Sequence, residues 1–82
     1  MATSAQLAAQ QFSRNEPAIE LIDDDTYAVH RATVRLGYIH RVGNVFVALE
    51  GAHLAHAVEV GQSLSWDEAL AMLERAHRAH AA

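Results

Sequence analysis

Gly43-Asn44 stands between two runs of alternating polarity, and no other feature of the chain restricts its fold so tightly. Upstream, Val34, Leu36, Tyr38, His40 and Val42 alternate with Arg35, Gly37, Ile39 and Arg41; downstream the run continues from Val45 to Leu49. A two-residue loop opening with glycine between β-rich segments is a hairpin signal, because the turns that match strand twist need a positive φ there. The loop also fixes the register by counting: Val42 faces Val45, His40 faces Val47, Tyr38 faces Leu49, Arg41 faces Phe46 and Ile39 faces Ala48. One face then collects Leu36, Tyr38, Val42, Val45, Val47 and Leu49, a set that a one-residue slip would scatter. Pairing Val29 with Val34 and Tyr27 with Leu36 adds a further strand to that face.

Residues 54 to 60, Leu-Ala-His-Ala-Val-Glu-Val, read as a fourth strand with Leu54, His56, Val58 and Val60 facing inward. From Leu64 the period changes to that of a helix. Ser65 and Glu68 have capping-box spacing, and Leu64 is placed to staple onto Ala69. Trp66, Ala69, Leu70, Leu73, Ala76 and His77 form one stripe. Acids open the helix and Arg75, His77, Arg78 and His80 close it, as the helix dipole favours, with Glu74 and Arg78 at i,i+4. The predicted fold is therefore α+β: a three- or four-stranded antiparallel β-meander with a C-terminal helix packed on one face.

Residues 1–15 read as a tail or a short helix capped by Ser4, with Leu7, Ala8 and Phe12 on one side. Asn15-Glu16-Pro17 marks a break, so 16–82 is expected to be a single small α+β domain. "IELIDDD" reads as a solvated turn leading into the first strand, since it lacks the glycine-punctuated loop and distal glutamate of a calcium site.

An 82-residue chain buries roughly 60–65% of the surface it exposes when unfolded, leaving little room for a core and a ligand cavity together. It has no cysteine, so disulfides and thiolate metal sites are unavailable. No basic region with an apolar run opens the chain, and no stretch approaches a membrane span, so a cytoplasmic protein is expected.

All six basic residues are arginine, and the net charge is −4. Residues 26–49 nevertheless carry Arg31, Arg35 and Arg41 with no acid, a basic island between acidic flanks. His53 and His56, like His77 and His80, are three apart, but strong zinc signals usually contain cysteine and the helix dipole accounts for His77 and His80, so no metal or other cofactor is expected. None of the serines lies in a nucleophile motif, and neither a phosphate-binding glycine loop nor H-E-x-x-H occurs, so no catalytic residues are assigned. His40, on the apolar face, reads as a hydrogen-bonded core histidine, with a pH switch as the alternative.

The other face of the predicted sheet carries Ala28, Thr33, Arg35, Gly37, Ile39, Arg41, Phe46, Ala48 and Glu50. Arginine beside an aromatic and small apolar residues is the composition of an interface centre. Arg35, Ile39, Arg41, Phe46 and Ala48 are accordingly the expected contacts for a protein partner or a second copy, the alternative being that an N-terminal helix covers this patch through Leu7 and Phe12. The alternative is a small DNA-binding accessory domain using His30, Arg31, Arg35 and Arg41. In element order the predicted chain resembles the arm-binding domains of phage-type integrases, which place a small sheet in the major groove, and the double-stranded RNA-binding domain. It lacks the lysine cluster of the latter, and the net negative charge opposes nucleic acid.

Overall fold

A computed structural model of the chain describes residues 17–81, in which five strands and one helix form an α+β domain. The strands are β1 (Ala18–Asp23), β2 (Thr26–Arg31), β3 (Val34–Val42), β4 (Val45–Glu50) and β5 (Val58–Ser63), followed by α1 (Trp66–Ala81). They form one antiparallel sheet in chain order, β1-β2-β3-β4-β5. The reading of residues 1–15 lies outside the described residues.

The central hairpin has the expected register at every pair from Val42–Val45 to Tyr38–Leu49. Gly43 takes φ +62° in its turn. The strand count is five, not three or four. Ala18–Asp23 forms β1, pairing Ile19 with Val29 and Leu21 with Tyr27, and only Asp24-Asp25 make the turn. The fourth predicted strand is displaced: Leu54–His56 is a 3₁₀ turn, and β5 begins at Val58.

The β2–β3 pairing also differs. Its turn is the two residues Ala32-Thr33, so Arg31 and not Val29 faces Val34. A bulge at Leu36 then puts Val29 opposite Gly37 and Tyr27 opposite Ile39. One extra residue thus moves Tyr27 and Val29 to the face opposite Tyr38.

That face carries the helix. Val29, Leu36, Ile39, Ala48, Ala69 and Leu73 make the buried core, flanked by Tyr27, Phe46, Val60, Trp66, Leu70 and Met72. Small residues decide where α1 lies. A Cβ at Gly37 would meet Leu73 Cδ1 at 2.7 Å, and one at Gly61 would meet Met72 Sδ at 2.4 Å. The helix rests where the sheet has no side chains to hold it off. Trp66 anchors its first turn, edge-on to Tyr27 at 5.1 Å and to Phe46 at 5.6 Å between ring centroids.

The capping box forms through a relay. Ser65 Oγ accepts from the Glu68 N–H at 3.3 Å, while Glu68 accepts from Ser63 Oγ, which in turn accepts the Ser65 N–H. Leu64 is 74% exposed, so it does not staple onto Ala69. Glu74 reaches back to Arg31 of β2 instead of pairing along the helix with Arg78, and His80 meets Glu50 at 2.7 Å.

Ala32 holds φ +57°, a conformation costly for any residue with a Cβ. Ala32→Gly should therefore raise stability by about 0.5–1 kcal/mol, the relieved strain being partly offset by a freer unfolded chain. Urea denaturation followed by Trp66 fluorescence reads this directly; an unchanged or lower midpoint contradicts it.

Candidate interaction surface

The five residues expected to meet a partner do not share an open face. Ile39 and Ala48 are fully buried beneath α1, and Phe46 packs half-buried against Trp66. Arg41 lies exposed on the same side, at the hairpin end, with its Nε donating to the Gly43 carbonyl at 3.1 Å. Arg35 lies on the opposite side, its guanidinium over the Tyr38 ring. The assignment of faces is thus corrected: the surface expected to be outermost is the core. Counting apolar side chains favoured the Tyr38 face, whereas the helix sits over the glycines and alanine.

The basic strip is divided as well. The Leu36 bulge puts His30 and Arg35 on the open side of the sheet, whereas Arg31 and Arg41 lie on the helix side. Arg31 is engaged by Glu74, and Arg35 donates to Tyr38 Oη at 2.8 Å. The four residues present no continuous stripe to a phosphate backbone.

The face opposite α1 carries buried Thr26, Ala28 and Tyr38, half-buried His30, Arg35 and His40, and exposed Val42. Val45, Val47 and Leu49 of β4 continue it. Its polar groups form two local systems. Arg35 donates to Tyr38 Oη, which donates to the Ala52 carbonyl at 2.9 Å, so the segment after β4 closes over Tyr38. Arg35 Nε is buried without a hydrogen-bond partner. Further along, His40 Nδ1 shares a hydrogen bond of 2.9 Å with Thr26 Oγ1. His40 is half-buried, on the apolar face where the sequence put it.

Between these systems and the hairpin tip lies an apolar stripe: Val47 and Val45 half-buried, Val42 54% exposed. It requires the hairpin register alone, since period two sends these side chains to one side. Among the described residues no helix lies on this face.

β1 supplies a second apolar region that the sequence reading missed. Ile19, Leu21 and Ile22 are exposed, the first two on the helix side of the sheet but beyond the strands that α1 contacts most, β3, β4 and β5. The signal was present in the alternation of Ala-Ile-Glu-Leu, and the aspartates that follow concealed it. Those aspartates form the turn. Asp25 donates its backbone N–H to Asp23 Oδ1 at 2.9 Å, which holds the Asp23 carboxyl below its ordinary value.

Among the described residues no group of three His, Asp or Glu side chains is placed to hold a metal. No helix among them is long and apolar enough to cross a membrane. Set against known proteins, the chain matches no family model, no curated protein and no solved structure.

Proposed function

We propose that the chain is a small non-enzymatic interaction module that binds a protein through the sheet face opposite α1. The supporting observation is the stripe Val42, Val45, Val47 and Leu49 on a face that no helix covers among the described residues, flanked by Tyr38 and His40. Short branched side chains on a pleated sheet are rigid, so little rotamer freedom is lost when a partner covers them. The polar surroundings, Arg35, His30 and Glu20, supply the rim that such patches carry. Nucleic-acid binding has no comparable support, because its arginines are split between two faces.

Site-specific photocrosslinking in the producing cell tests this. A crosslinker at Val42 should give a discrete higher-mass species that is absent with one at Leu64, which is more exposed but off the stripe. Val45→Glu should remove that species by placing a charge in the contact. Indistinguishable products from both positions, or a species indifferent to Val45→Glu, would refute the reading.

A further inference from the structure

β1 lies at the sheet margin, with no strand beside its outer edge among the described residues. Natural sheets protect such edges with lysine, proline, bulges or a covering element. The other margin, β5, has these safeguards: a bulge at mid-strand, Glu59 pointing outward, and α1 packed alongside with Met72 over Gly61. β1 has few. Its irregularity comes only after Leu21, leaving Ala18–Leu21 regular. Every residue of the strand is exposed.

The sequence of this edge is symmetric. Ala18-Ile19 and Leu21-Ile22 are apolar pairs flanking a single acid, Glu20. Antiparallel pairing of two copies about Glu20 sets Ile19 against Leu21 twice, and both side chains lie on the helix side. A shift of two residues would oppose Ile19 to Asp23 and Glu20 to Ile22, losing the match.

We propose that β1 pairs with β1 of a second copy of this chain, antiparallel and centred on Glu20, joining the two sheets edge to edge. The edge is complementary to itself, which is why the occupant is a second copy rather than an unrelated strand. The joint uses the edge of β1 and not the Val42–Leu49 stripe, with Glu20 bordering both. Only a few residues per chain take part, so it belongs to the small, weak class of interfaces.

Its centre opposes two carboxylates, and like charges directly across a pair are destabilising. His30 Nε2 lies 3.5 Å from Glu20 Oε1, with Arg35 next to His30 in register. The Arg35 guanidinium on that side offsets part of the repulsion.

Sedimentation of the full chain at high micromolar concentration should show monomer and dimer. Glu20→Gln should strengthen association several-fold by removing the opposed carboxylates. The register has its own readout. Residues directly opposite in an antiparallel pair have Cα atoms about 4.5–5.5 Å apart, within disulfide reach. Glu20→Cys, in a chain with no other cysteine, should therefore crosslink on mild oxidation, whereas Val58→Cys on the other margin should not. Leu21→Arg, at a 58% exposed position, should keep the native circular dichroism spectrum and weaken the dimer at least ten-fold. A monomer under all conditions overturns the proposal. So does equal crosslinking from both cysteine variants, or a dimer that survives Leu21→Arg but is lost with Val42→Glu.

Discussion

Ile39→Glu should abolish the fold itself and not merely an interaction. Ile39 is fully buried at the middle of β3, between Tyr27 and Ala48 and beneath α1. A carboxylate there finds no cation within the core cluster, and an uncompensated buried charge is among the most damaging single changes. The loss of apolar contact adds to it, for a total of about 5 kcal/mol or more. A domain of this size has a total stability of roughly 4–12 kcal/mol, so the loss takes up about half of it or more, and most molecules unfold at neutral pH where the total lies in the lower part of that range. Trp66 is the chain's only tryptophan and packs on Tyr27 and Phe46, so its fluorescence should shift to that of a solvated indole. Below the pH at which the new carboxyl protonates, part of the native signal should return. A soluble Ile39→Glu variant with native fluorescence and circular dichroism at neutral pH would mean that β3 turns its other side to the helix.

Gly37→Ala should be nearly as damaging, for a steric reason. An added Cβ would lie 2.1 Å from the Leu49 carbonyl oxygen and 2.7 Å from Leu73 Cδ1. The first neighbour is backbone of the paired strand and cannot move without opening the ladder; the second belongs to a fully buried side chain. Overpacking of this kind costs about 1–3 kcal/mol when side chains can yield, and more when they cannot. We expect at least 3 kcal/mol on that scale. Gly61→Ala is the informative control: its close neighbour is the Met72 thioether, which has rotamers to spare. It should lose about 1 kcal/mol or less on the same scale. Urea midpoints for the two variants should therefore separate widely; equal losses would show that α1 does not rest on β3 through Gly37.

Parts of the fold were legible for a definite reason. The Gly43-Asn44 hairpin is specified by local chemistry, a turn that needs glycine between strands of period two, and its register appears without error. The helix likewise begins at Trp66 because Ser65 and Glu68 act within one turn of each other. What failed depended on distant residues. Nothing near Leu36 announces a bulge, yet that one inserted residue moves Tyr27 and Val29 across the sheet. The choice of face was misread because bulk was counted instead of room. Tyr38, Val45, Val47 and Leu49 carry more apolar surface than Gly37, Ala48 and Gly61, but a helix needs the flatter side. The partner residues Ile39, Phe46 and Ala48 were thus recognised as unusual for solvent, correctly, and placed outside when they are inside.

The order of the sheet has a consequence for how the chain is made. Each strand pairs with its neighbour in sequence, so the meander assembles from successive local hairpins, a topology of short loop closures that folds quickly. The helix, however, follows all five strands, and Leu73, Ala69 and Trp66 are the lid of the core. During synthesis the strands emerge first, with Ile39 and Val29 still facing water. A ribosome stalled before Trp66 should hold a sheet that pairs but does not stay closed, and the sixteen helical residues convert it into a cooperative domain in a single late step.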